Sequence, residues 1–133
     1  MGILIYIFSL ASLLVLDGIW LNFVAKQFYQ KYLGYLMAPS VNFIPAAIFY
    51  FIYALAISVL VVNPAIKSGA GLFQIFSFGV LLGLAAYGAY DLTNHTIVRD
   101  WPLAVTVVDM AWGAFVTGAA SAIAYLSYQF FIF

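Results

Sequence analysis

The sequence predicts an all-α membrane protein built as a four-transmembrane-helix bundle. Composition is the first reason. Of the 133 residues, 68% are hydrophobic and 6% are charged, whereas an ordinary soluble domain carries about 25% charged residues. Such a chain has nothing from which to build a polar shell, so its apolar surface faces lipid. The second reason is length: four stretches reach the roughly 20 mostly apolar residues that a spanning helix needs. The third is that only short connections separate them, and residues 1–133 read as a single integral membrane domain.

The first helix runs from about Ile3 to about Val24 and contains Asp17. Met1-Gly2-Ile3-Leu4 lacks the basic region of a signal peptide, so this stretch reads as a retained helix. The second runs from about Phe43 to about Val62 without a charge, with Asn42 as N-cap and Pro45 in the first turn, where its missing N–H does little harm. Asn63-Pro64 is read as its end. The third runs from about Gly71 to Asp91. The fourth starts at Pro102, contains Asp109 and continues to about Tyr128. At 1.5 Å per residue it exceeds the roughly 30 Å hydrocarbon core, so it tilts or protrudes. Tyr125, Tyr128, Phe130, Phe131 and Phe133 suit an aromatic belt at its end.

The longest connection, residues 25–42, holds Lys26 and Lys31 with Phe28, Tyr29, Tyr32 and Tyr35, and reads as a partly helical segment in the membrane interface. The second connection holds Lys67, and the third holds His95, Arg99 and Asp100. The positive-inside bias then puts the first and third loops in the cytoplasm and both termini outside. Small residues form stripes in two helices, Gly79, Gly83 and Ala86 in the third and Gly113, Thr117 and Ala120 in the fourth, and these read as packing faces.

Several function classes drop out. Net charge is zero, with Lys26, Lys31, Lys67 and Arg99 against Asp17, Asp91, Asp100 and Asp109, so no basic patch exists to hold nucleic acid. Without cysteine there is no thiol redox chemistry, iron–sulfur cluster or cysteine zinc site. No cofactor is indicated.

What remains is a polar cluster. Asp17 lies about two turns before the end of the first helix and Asp109 about two turns after the start of the fourth, roughly 10 Å from the same membrane face in each case. Asp91, His95, Arg99 and Asp100 fall at that face too. A carboxylate inside the membrane costs about 2.5–3.5 kcal/mol, so Asp17 and Asp109 are expected to face the interior with partners. Arg99 folding back as counter-ion, a protonated carboxyl, or a bound cation would each serve. Each acid is followed by tryptophan at i+3, Trp20 and Trp112, on the same helical face. Asp91, at the end of the third helix, meets the unfavourable end of the macrodipole and needs an offset. If the helix runs on by one turn, Asp91, Asn94 and His95 share a face, a weak chelating pattern that names no metal. Plainer readings stand beside these: Asp91 as a cap, His95 as an interfacial loop residue, Arg99 and Asp100 as a loop ion pair or headgroup contact, and Trp20 and Trp101 as interfacial anchors.

The runs Tyr90-Asp91-Leu92-Thr93-Asn94, Trp101-Pro102 and Asp109-Met110-Ala111-Trp112-Gly113, with Asp17-Gly18-Ile19-Trp20-Leu21, resemble a family of small bacterial predicted membrane proteins classed as a domain of unknown function. The resemblance spans nearly the whole chain. It implies four membrane helices and a bacterial inner (plasma) membrane location, and brings no reaction with it.

Three functional readings follow. The first is a membrane-embedded enzyme or binding protein for a lipid-like or isoprenoid-like molecule. Its site is Asp17, Asp91 and Asp109, with His95, Asn94 and Arg99 at the mouth and Trp20, Trp112, Tyr87 and Tyr90 as aromatic wall. In it Asp109, the deeper acid beside Trp112, is the proton donor and Asp91, nearer water, the base or cation ligand. The second is a small proton-coupled exporter acting as a homodimer, which the chain resembles only in outline, through four short helices and an acid in the first. The third is an accessory or assembly subunit whose polar cluster docks a partner helix.

Overall fold

The computed structural model describes residues 2–132; Met1 and Phe133, each part of an expectation above, lie outside the described residues. Four helices make up the chain, α1 (Gly2–Leu36), α2 (Phe43–Ser68), α3 (Leu72–Ile97) and α4 (Leu103–Ile132), each long and apolar enough to cross a membrane. No strand occurs among the described residues.

Three helices continue where their sequences read as stopping: α3 runs straight on to Ile97, and α1 and α2 continue through a widened π turn. α1 runs past Val24 by way of a π segment, Leu21–Ala25, into Lys26–Leu33 and a closing 3-10 turn, Gly34–Leu36. Most of the segment read as partly helical and interfacial therefore forms the last turns of α1, up to Leu36. A π turn adds a residue to the helical circuit and rotates the face that follows. That rotation decides where Tyr29 points.

α2 begins at the expected cap, where Asn42 Oδ1 accepts from the Ile44 amide at 3.2 Å. It then passes through Asn63-Pro64 instead of ending there. The π segment Ile57–Val62 precedes the proline, and the Asn63 side-chain amide donates to the Ser58 carbonyl at 2.9 Å and to its hydroxyl at 3.0 Å. A proline removes one helical donor; Pro64 stands in the first turn after the π segment, and the Ser58 carbonyl takes both the backbone N–H and the side-chain amide of Asn63. The true end is Gly69, whose φ of 73° is the left-handed conformation that closes helices.

α3 and α4 lie antiparallel and in very close contact. Their register is fixed by a ladder of pairs: Gly79 against Gly118 and Ser121, Gly83 against Gly113 and Thr117, Tyr87 against Gly113, Gly88 against Met110, and His95 against Thr106. A methyl group at Gly83 would overlap the Gly113 carbonyl, and one at Gly113 would overlap the Tyr87 ring. The small-residue stripes are thus the surfaces on which these backbones meet. Thr117 and Ser121 keep their hydroxyls bonded to carbonyls one turn back, both at 2.7 Å, so this polar seam carries its own acceptors.

α1 packs antiparallel to α4. Phe8 stacks on Phe131 at one end, with centroids 5.5 Å apart, and the Tyr35 hydroxyl reaches the Asp100 carbonyl at 3.3 Å at the other. Ile5, Leu13, Ile57, Ile75 and Val116 are fully buried between the helices, while Phe73 and Phe23 stay exposed as a lipid-facing surface requires. Two residues read as interfacial aromatics instead join the interior. Tyr128 packs in the core and Trp101 is buried, its indole N–H bonded to Thr106 Oγ1 at 3.1 Å.

Candidate functional site

Asp17 ties three helices together. It is buried on α1, and its carboxylate accepts from Trp112 of α4 at Oδ1 and from Tyr50 of α2 at Oδ2, each at 2.8 Å. One turn along α1, Trp20 stacks on Trp112 with ring centroids 4.4 Å apart and planes within 6°. The two Asp-x-x-Trp patterns therefore interlock: the tryptophan of the second bonds the acid of the first, and the two indoles share a face.

Asp109 lies one turn before Trp112 on α4 and accepts a hydrogen bond from the Tyr29 hydroxyl. Tyr29 belongs to the α1 turns beyond the π segment, which bring it back over the bundle end. Removing this hydroxyl should loosen those turns. Tyr29→Phe is expected to lose about 1.5–3 kcal/mol of docking, the worth of a bond to a charged group, and to speed tryptic cleavage after Lys26 and Lys31 by at least about ten-fold. An unchanged cleavage rate would mean the segment is held by packing alone.

Asp17 and Asp109 both line a cavity of about 430 Å³ at this end of the bundle. Trp20, Trp112, Tyr87, Tyr90 and Trp101 form its aromatic wall, with Tyr29, Tyr50 and Phe49, and Leu33, Leu36 and Met37 lie along the α1 side. Among the described residues, no lysine, arginine or histidine lines it. Every donor that the described residues give the two acids is neutral. The Arg99 counter-ion does not form: Arg99 is exposed beyond the end of α3.

Asp91 departs most from its expected place. α3 runs on to Ile97, so Asp91 sits inside the helix and not at its end, and the macrodipole argument does not apply. Nor is it nearer water than Asp109: Asp91 is 0% exposed, and both its oxygens lack a donor, whereas Asp109 is half-buried on the cavity. The register supplies its neighbour. Asp91 is one turn beyond Tyr87 on α3 and Asp109 one turn before Gly113 on α4, and Tyr87 meets Gly113. This register sets the two carboxyls beside each other across the α3–α4 seam.

The continued helix does put Asn94 and His95 one turn past Asp91, but they do not join the cavity wall. His95 is exposed, with Nδ1 3.0 Å from Thr106 Oγ1, and Asn94 spends its carbonyl on the Val98 amide that closes α3. Among the described residues, no three His, Cys, Asp or Glu side chains gather as a metal site would require. The aromatic cavity residues that the sequence did not single out for the site are Tyr29, Tyr50, Phe49 and Trp101. The first had a signal, because Asp17, Leu21, Tyr29, Leu33 and Leu36 follow one another at helical spacing once the helix is carried past Val24.

The sequence model of a family described as "Predicted membrane protein (DUF2177)" matches residues 2–126. The chain belongs to this family. The match reaches into all four helices and spans every residue that lines the cavity. Neither the curated proteins nor the solved structures contain a match to the chain.

Proposed function

We propose that this DUF2177 protein binds an amphipathic, lipid-like or isoprenoid-like molecule in the cavity between its four helices. The observation that carries the reading is the lining: two acids on an otherwise aromatic and aliphatic cavity, with no basic side chain on it among the described residues. Convergent polar groups in an apolar pocket are the usual form of a small-molecule site. Asp17 and Asp109 offer acceptors only, so the head group they suit donates hydrogen bonds or carries positive charge. The apolar part would lie on Trp20, Trp112 and Tyr87 and leave between helices towards lipid.

The test is lipid analysis of protein purified in mild detergent. The expected result is one amphipathic species at near-stoichiometric amount, depleted at least about ten-fold in Asp109→Asn, the loss of one charge-assisted contact. Leu33→Trp, which fills the cavity without touching the acids, should deplete it as well. Equal amounts of the same lipids in all three proteins would leave the cavity without a ligand.

A proton-coupled exporter is the second reading. It is favoured by the neutral donor set, which leaves the negative charge of Asp17 and Asp109 to be met by a proton or a bound cation. Proton-driven uptake of a cationic dye into reconstituted vesicles, lost in Asp109→Asn, would select it over simple binding.

A further inference from the structure

Asp91 is not accounted for by the ligand cavity. A fully buried carboxyl with no donor on either oxygen is the most unfavourable polar group in the molecule if it is ionised. Its neighbour is a second carboxyl, Asp109, which does have a donor, Tyr29. Two acids side by side in a low-dielectric site do not both stay ionised; they share a proton, as acid dyads do. Asp91 Oδ–H donating to Asp109, with Tyr29 donating from the other side, gives both acids a partner.

The surrounding ionisable groups offer no alternative neutralisation. α1 presents Tyr29 and, farther off, Asp17. α2 presents Tyr50, committed to Asp17. α3 presents Tyr87 and Tyr90, while His95 turns away to Thr106. None of these is a cation at neutral pH, and α4 adds only Asp109 itself.

The same geometry opens one side of the pair to the cavity. Asp109 lines it while Asp91 lies behind. The wall facing Asp109 is indole and phenol, whose faces attract cations. We infer that Asp91 and Asp109 hold one proton between them, and that a cationic amphiphile entering the cavity takes its place. The inference rests on the cavity reading above and narrows its ligand to a positively charged head group. The exchange balances: the O–H bond of the dyad breaks, the proton leaves to water at the cavity mouth, and one positive charge enters for the one that departs. The net charge of the site is unchanged.

The experiment uses tetraphenylphosphonium, a hydrophobic cation with no proton of its own, added to the detergent-solubilised full chain in weakly buffered solution with a pH indicator. The expected result is about one proton released per cation bound, with affinity rising about ten-fold per pH unit, as linkage requires for one proton. Asp91→Asn should still bind the cation but release no proton, with affinity nearly flat in pH. Binding by the unmodified protein without proton release overturns the inference, as does release by Asp91→Asn equal to that of the unmodified protein. If Asp91→Asn does not fold, infrared spectra of the unmodified protein decide instead. The carbonyl stretch of a protonated carboxyl should be present without ligand and vanish when the cation is added; a band that persists refutes the exchange. The two readings fail separately. If the cation does not bind but Leu33→Trp still depletes the co-purified lipid, the cationic specificity falls and the cavity reading stands. If cation binding and proton release are untouched by both Leu33→Trp and Asp109→Asn, the cavity reading falls with it.

Discussion

Gly83→Leu is expected to abolish recovery of folded protein, while Gly18→Leu leaves thermal stability within about 1 kcal/mol of the parent. The contrast follows from what a side chain would meet. At Gly83 even a methyl group overlaps the Gly113 carbonyl and crowds the Thr117 hydroxyl, whereas at Gly18 nothing lies within 4 Å. A flexible side chain could swing aside, but a backbone carbonyl cannot move without parting α3 from α4. Overpacking a closed core costs about 1–3 kcal/mol, and more where backbone is displaced. The cost here is larger because the same movement would undo the ladder that brings Asp91 to Asp109. Size-exclusion profiles after graded heating in detergent check this. Gly83→Leu eluting as a folded monomer with an unshifted melting point would mean that the two helices do not pack on this stripe.

That contact also marks what could be read from the sequence and what could not. The four spans were legible because lipid imposes a length and a composition. The glycine stripes were legible as packing faces, but not their register, which depends on which carbonyl each glycine meets. Helix ends were less legible. The segment holding Lys26 and Lys31 read as a connection only partly helical, yet a helix that has left the hydrocarbon has no need to be apolar. Thr93, Asn94 and Thr96 misled at α3 for the same reason: Thr96 bonds the Leu92 carbonyl at 2.8 Å and the helix simply continues. Pro64 does not end α2, because it falls at the start of the turns that follow the π segment, where a helix tolerates proline. Two of these differences moved a site residue. Ending α3 at Asp91 exposed a carboxyl that is fully buried, and ending α1 at Val24 removed Tyr29 from Asp109.

Asp17→Ala and Asp17→Asn should separate the structural role of this acid from its role in binding. Truncation to alanine strands the Tyr50 hydroxyl and the Trp112 indole N–H, both of which end on the carboxylate. Each stranded donor costs about 1–3 kcal/mol. Against that, alanine removes a carboxylate whose place in the membrane costs about 2.5–3.5 kcal/mol on insertion scales. That cost belongs to inserting the helix and is largely met in the folded bundle by the two donors, so it does not cancel the loss on unfolding within the membrane. The net expectation is a destabilisation of about 2–4 kcal/mol for Asp17→Ala. Asparagine keeps one carbonyl oxygen for Trp112, and its amide can donate to the Tyr50 oxygen, so Asp17→Asn should lie within about 1 kcal/mol of the parent. Both variants remove a negative charge from the cavity wall. If a cation is the ligand, both should weaken tetraphenylphosphonium binding by about ten-fold or more, the fold-change of one charge-assisted contact. A stability loss confined to alanine, with a binding loss shared by both, would assign Asp17 two separable functions. Binding that follows stability instead, intact in Asp17→Asn, would make it a fastener between α1, α2 and α4 and leave Asp109 as the acid that meets the ligand.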